Sequence, residues 1–193
     1  MSMRRLMMRW HGVGAALLLS AALVGCQGHA ASARALVCAV YFSPRGGCTE
    51  EVVSEIRNAR QNILVQAYSF TSEPIAQALI EARRRGVQVE VILDKSQRTD
   101  RRSTAGLLAH AGVPVNIDAA HAIAHNKVMV IDGVTVITGS FNFTESAEAR
   151  NAENLLVVRD PTLAGRYANN WRSHRAHTSL YAVSSAELLE GGR

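Results

Sequence analysis

Asp132-Gly133 stands between two β-branched runs, Val128-Met129-Val130-Ile131 and Val134-Thr135-Val136-Ile137. Asp-Gly between apolar β-formers is the strongest short-range hairpin signal, because both residues tolerate the positive φ that a tight turn demands. A two-residue loop pairs Ile131 with Val134. The register then sets Lys127 opposite Thr138, His125 opposite Ser140 and Ile123 opposite Asn142. Opposed residues share a sheet face, as do residues two apart. One face is therefore expected to gather His125, Lys127, Thr138, Ser140 and Asn142. The flat register is weakest near Gly139, where a bulge would re-aim the end of the strand. An imidazole, an ammonium, hydroxyls and an amide suit a phosphoryl group. Asp132, held in the turn, keeps a carboxylate out of that set.

The rest of the chain builds a frame for this hairpin. Residues 36–42, 63–70, 87–93, 113–117 and 154–158 read as strands. Between them lie helical stripes: 50–60 behind a Thr49 cap, 73–85 behind Thr71 or Ser72, 105–111, and 162–177 with Leu163, Tyr167 and Trp171 at i, i+4, i+8. A polar connection, 143–152, has room for one short helix. Strand–helix alternation followed by a hairpin and another strand predicts an α/β fold, a mixed β-sheet flanked by helices. Loops after parallel strands gather where ligands usually bind. One such loop carries Lys95, Arg98, Arg101 and Arg102. It reads as a solvated charged loop or as a phosphate-backbone contact, with Lys95 and Arg98 the candidate substrate ligands.

Residues 1–26 differ in kind. Arg4, Arg5 and Arg9 precede an apolar run from Val13 to Val24, and no acid occurs before Glu50. This is the pattern of a secretory signal, too short for a membrane span. It ends Leu23-Val24-Gly25-Cys26, which resembles a bacterial lipoprotein box; the alternative is an ordinary cut near Ala31-Ser32-Ala33. The expectation is an exported, periplasmic protein, either free or anchored to a membrane through a lipidated Cys26. Removing this segment takes three arginines and no acid from 21 basic and 16 acidic residues, so the net charge falls from +5 to about +2. Attraction to nucleic acid must then come from local patches. Residues 27–193 suffice for a single domain. In an exported chain the remaining cysteines, Cys38 and Cys48, are expected to form a disulfide across the turn at Pro44-Arg45-Gly46-Gly47.

The central stretch reads His-x-Lys-x4-Asp-x6-Gly-Ser-x-Asn: His125, Lys127, Asp132, Gly139, Ser140, Asn142. Six fixed identities match by chance on the order of 10⁻⁸ per start position. The pattern resembles the signature of the phospholipase D superfamily. YFSPRGGCTE, ILVQAYSFTS, GVQVEVILDKSQ and NAENLLVV extend the resemblance to its small exported bacterial endonucleases. Members use two such motifs face to face, and this chain has one. The resemblance thus implies a homodimer with the active site across the two-fold axis, each protomer giving His125, Lys127 and Asn142. It implies a covalent phosphohistidine on one His125, with the partner's His125 as acid and then base. It implies no metal or other cofactor. Glu153 matches a family glutamate that orients the imidazole. Ser140 is an auxiliary phosphate ligand on this reading, while Asp132 and Gly139 are structural members of the motif.

The expected function is non-specific endonuclease cleavage of DNA, and of RNA, through that intermediate. One alternative is lipid phosphodiester hydrolysis, against which stands an aromatic content of only 5%. A second is a non-catalytic nucleic-acid-binding envelope protein, which the intact motif disfavours. A zinc site joining His121, His125 and His110 is set aside: no cysteine is near, and His125 lies on a strand.

Overall fold

The computed structural model describes residues 37–182. In chain order the elements are β1 (Val37–Ser43), α1 (Cys48–Asn58), β2 (Asn62–Ala67), α2 (Glu73–Arg84), β3 (Gln88–Asp94), a 3₁₀ turn (Lys95–Arg98), α3 (Ala105–His110), β4 (Val115–Asp118), β5 (Lys127–Ile131), β6 (Thr135–Gly139), α4 (Glu145–Ala149), β7 (Glu153–Arg159), α5 (Pro161–Arg175) and β8 (Ser179–Leu180). The signal segment and Cys26 lie outside the described residues. No helix among those described is long and apolar enough to cross a membrane.

The strands form one eight-stranded sheet in the order β1-β7-β6-β5-β2-β3-β4-β8. β2, β3 and β4 run parallel, and β5 joins β2 antiparallel. The sheet is therefore mixed and flanked by helices, as expected, with the hairpin β5–β6 at its middle. Strand alternation divides the core in two. Met129, Ile131, Ile137, Leu155 and Val157 pack with α1 and α2 on one face. Val128, Val130 and Val136 pack with Ala164 and Ala168 of α5 on the other. Trp171 of α5 is buried and donates its indole N–H to the Val65 carbonyl at 2.8 Å.

The hairpin register differs from the expected one by a residue. Ile131 opposes Thr135, not Val134, and Val128 opposes Thr138. The turn itself is as expected: Asp132 has φ 53° and Gly133 φ 65°, and Val134 N–H closes it onto the Ile131 carbonyl at 3.0 Å. Val134 is then bulged out, because its carbonyl accepts from Asp160 N–H at 2.9 Å, at the start of α5. A one-residue slip exchanges the faces of a strand. Thr138 consequently faces the α5 side and leaves the set containing Lys127.

Two other expectations are corrected. Cys38 and Cys48 are both free. Ala39 and Tyr41 of β1 pack against the core that contains Cys48, so alternation turns Cys38 to the opposite face. The sheet stands between the two sulfurs, and burial pushes the Cys48 thiol up to about 11. The α1 cap is not Thr49. Gly47 N–H and Thr49 N–H both donate to the Glu148 carboxylate of α4, at 3.2 and 2.7 Å. The orphan donors of the first turn are thus met by a residue some hundred positions away.

Candidate active site

The site lies at the carboxyl ends of the parallel strands, where β5 begins. Lys127 opposes Ala67, the last residue of β2, and Tyr68 N–H donates to the Asn126 carbonyl at 2.8 Å. Lys127 is buried, at 7% exposed. Its ammonium donates to the His125 carbonyl at 2.7 Å and lies 5.1 Å from the centroid of Tyr68. The His125 ring is exposed and packs against the same Tyr68, with ring centroids 4.6 Å apart. Tyr68 thus positions both members of the His-x-Lys pair. Burial lowers the Lys127 pKa below the ordinary lysine value, and the charge of Glu153 opposes that shift. A partly desolvated ammonium interacts more strongly with an anion than a solvated one.

β6 and β7 supply the rest. Gly139 opposes Leu155, after which Ser140 N–H and Phe141 N–H both donate to the Asn154 carbonyl at 3.1 Å. Two residues on one strand meet one on the other, so the bulge forms where the sequence made the register least secure. A Cβ on Gly139, at φ 147°, would sit 2.3 Å from that carbonyl, so only glycine fits. Beyond the bulge Phe141 and Phe143 are fully buried, and Phe143 packs edge-on to Phe70 at 5.8 Å. They clamp Ser140 and Asn142 at the sheet edge. Ser140 Oγ accepts from the Asn154 backbone N–H at 3.0 Å and from its amide at 3.3 Å, which leaves the hydroxyl proton for a ligand. Asn142 Oδ1 is buried and has no hydrogen-bond partner among the described residues. A buried orphan of this kind costs about 1–3 kcal/mol and commonly marks a functional amide.

Glu153 opens β7 on the same face as Leu155, near enough to act on the charge of Lys127. Its carboxylate accepts from the Asn151 amide at 3.1 Å, and its N–H donates to Ser43 Oγ at 3.2 Å. Asp132 is at the far end of β5. Its carboxylate accepts from the N–H groups of Arg60, Gln61 and Asn62 at 2.7–3.0 Å, which ties the hairpin tip to the start of β2.

The basic loop is only partly at the site. Lys95 Nζ donates to the His121 carbonyl at 3.0 Å, on the segment leading to His125. Arg98 turns away and donates to Ser179 Oγ at 3.1 Å. Ser179 is on β8, four strands along from β5 and therefore about 19 Å away at the usual strand spacing. Arg98 does not join the His125 group. A cleft of about 690 Å³ between α1, α2 and α4 holds none of the motif residues, and Glu50, Glu73, Glu145 and Glu148 line it, which makes it a poor seat for a phosphodiester.

The sequence did not point to Tyr68, whose role depends on β2 and β5 being neighbours. It also did not gather the histidines correctly. His121 joins neither His125 nor His110 but Asp118, His174 and His177, whose ligating atoms lie within 4.8 Å of one another. The paired spacings Asp118-x-x-His121 and His174-x-x-His177 were the available signal.

Known proteins share this fold and much of this sequence. The family model described as "Cardiolipin synthase, PLD-like domain" matches residues 52–175. A protein named phospholipase D from Rickettsia bellii is 46% identical over 135 residues, spanning 70% of this chain and 67% of that one. The mitochondrial cardiolipin hydrolase of Xenopus laevis is 34% identical over 113 residues, 58% of this chain and 54% of that protein. The crystal structure of Nuc, a phospholipase D family member from Salmonella typhimurium, superposes with a TM-score of 0.74 at 37% identity, covering 77% of this chain and all of the other. Motif, sheet and relatives converge: the chain belongs to the phospholipase D superfamily, and its chemistry is phosphodiester hydrolysis.

Proposed function

We propose that this protein is an endonuclease that cleaves DNA, and RNA, without sequence preference, through a phosphohistidine on His125. The observation that carries this is the meeting of an exposed imidazole, a buried ammonium, a hydroxyl and the Asn142 amide, whose NH2 can donate to a phosphate oxygen, at the strand ends where β5 begins and β6 finishes. Lys127, Asn142 and Ser140 hold the non-bridging oxygens and stabilise charge as it develops. An imidazole nitrogen of His125 attacks phosphorus and the P–O bond to the leaving group breaks. The leaving oxygen takes a proton from the partner's His125. That histidine then removes a proton from water, whose oxygen displaces the first imidazole and frees the product. Glu153 orients the ring in this scheme, and ammonium and amide donors neutralise the phosphate in place of a metal ion.

A homodimer supplies the second histidine. Phe42, 63% exposed, and Val40 lie on a face of β1 that no helix among the described residues covers. Phe42 opposes Asn154, the residue that holds Ser140. A second copy seated on this apolar strip would bring its own His125 group to the same edge. Positive charge continues from Lys95 to the exposed Arg101 and Arg102, which suits a polyanion better than one headgroup. Export to the periplasm, free or anchored through Cys26, fits the leader and forms part of this proposal.

Lipid hydrolysis is the second reading, supported by the names of the Rickettsia and Xenopus relatives and by Ile123, exposed two residues before His125. Plasmid nicking and release of headgroup from cardiolipin vesicles, measured side by side, separate the two. The expected result is nicking without added magnesium, weakened by salt, and lower by about 10³-fold or more in His125→Ala. Turnover of vesicles alone would replace the nuclease reading, and a requirement for added magnesium would remove the metal-free chemistry.

A further inference from the structure

Asp118 closes β4 and is fully buried, and three imidazole nitrogens converge on its carboxylate. His121 Nδ1 lies 3.1 Å from Oδ1, His174 Nδ1 2.8 Å from Oδ2, and His177 Nε2 3.4 Å from Oδ2. The three rings stand 4.8–5.4 Å apart, centroid to centroid. A buried carboxylate has room for about four hydrogen bonds; what sets this cluster apart is that one ligating atom from each of the four residues lies within 4.8 Å of every other. Three nitrogens aimed at the same point, from two separate parts of the chain, are a ligand set.

We infer that Asp118, His121, His174 and His177 form a zinc site that clips the end of α5 to the loop delivering His125. Zinc holds nitrogen and oxygen ligands at about 2.0–2.2 Å in a tetrahedron, so its ligand atoms stand about 3.4 Å apart. The observed separations from the carboxylate, 2.8–3.4 Å, reach up to that edge, and the whole set lies within 4.8 Å, so a contraction of about 1.4 Å at most closes it. Imidazole with a single carboxylate favours zinc over magnesium or calcium, which take oxygen ligands. Four protein ligands leave no open position, which marks the site as structural and separate from phosphodiester cleavage.

The surroundings are those of a working metal site. Asp118 Oδ1 also accepts from Ala120 N–H at 3.1 Å, which fixes the carboxylate. His174 lies in the last turn of α5 and His177 just beyond its C-cap Ala176, and Arg175 between them pairs with Glu90 of β3, so the helix end is anchored before any ion arrives. His121 and His177 keep 45% and 37% of their side chains exposed, which gives an ion its way in. The Lys95 ammonium holds the His121 carbonyl and the Asp94 carboxylate holds Ala124 N–H, so the clipped loop runs directly to His125.

Metal analysis of the full chain purified with zinc present tests this. One zinc per chain is expected, with cobalt(II) giving the intense visible bands of a tetrahedral centre on one-equivalent titration. Chelation should lower Tm by about 5 °C or more, and readdition of zinc should restore it. His177→Ala and His174→Ala, at partly exposed positions, should fold, lose the cobalt bands and lose the chelator-dependent shift. A wild-type protein that gives no cobalt spectrum and no zinc-dependent Tm overturns the site. Equal zinc binding by the double variant overturns the ligand assignment. These readouts do not depend on which phosphodiester is cleaved.

Discussion

In the proposed mechanism Lys127 serves chemistry at a cost to the fold. By strand alternation its side chain shares a face with Met129 and Ile131, and its ammonium is held at the strand's end by the His125 carbonyl. Burial lowers its pKa, which means that folding disfavours the charge. Replacement by an apolar side chain of similar length removes that cost. Lys127→Met is therefore expected to cut cleavage by about 10²–10³-fold while Tm stays level or rises. A kinetic assay paired with a thermal melt checks this; an equal fall in both would mean the lysine acts in the fold alone. Gly139 is the converse case, a residue without chemistry of its own that the Asn154 carbonyl admits only as glycine.

At the scale of elements, the hairpin is held by its tip and used at its base. Asp132 gathers three backbone N–H groups from the entry to β2. Asp132→Ala leaves those donors without their acceptor and should cost about 2–3 kcal/mol in a denaturant titration. The cleavage rate per folded molecule should be unchanged, because the carboxylate lies at the end of β5 remote from His125. The loop before His125 has its own anchor in Asp94. Burial would push this carboxyl up, but hydrogen bonds from Ser96 and Ala124 and the charge of Lys95 outweigh it, so its pKa is lowered. A depressed folded-state pKa gives stability that is full above the unfolded value, near 3.8, and lost as pH falls through the folded one. The stability gap between wild type and Asp94→Asn should therefore be constant above about pH 5 and shrink below pH 4. A gap that is flat across this range would mean that Asp94 makes no ionic contribution.

At the scale of the whole molecule, the proposed mechanism, with one His-x-Lys motif per chain, makes activity a property of pairs. If both copies of His125 act on one phosphate, a dimer with one His125→Ala protomer is inactive. After subunit exchange, an equimolar mixture should show about half the activity per wild-type chain, and dilution with more variant should lower it further. Undiminished activity per wild-type chain would rule out a shared site. Val40 and Phe42, exposed on β1, form the apolar strip on which the proposed second copy would sit.

How far the sequence could be read followed the range of the interactions involved. The Asp132-Gly133 turn, the strand–helix order and the motif spacing are local, set by φ preferences and side-chain period, and the structure contains them. The bulge at Gly139 was legible too, as a weak point in a register. What depended on distant partners was not legible. The hairpin slipped by one residue because Asp160 takes the Val134 carbonyl. Cys38 and Cys48 stayed apart because alternation set the sheet between them. Arg98 left the site because a short β8, with almost no pattern of its own, drew it to the opposite edge. Tyr68 entered because β2 lies beside β5. The sequence by itself determined that a hairpin carrying the His-x-Lys motif exists. Only packing decided which face each side chain took, and brought Asp118 and His121 against His174 and His177, because such meetings are fixed by strand order and helix docking rather than by neighbours along the chain.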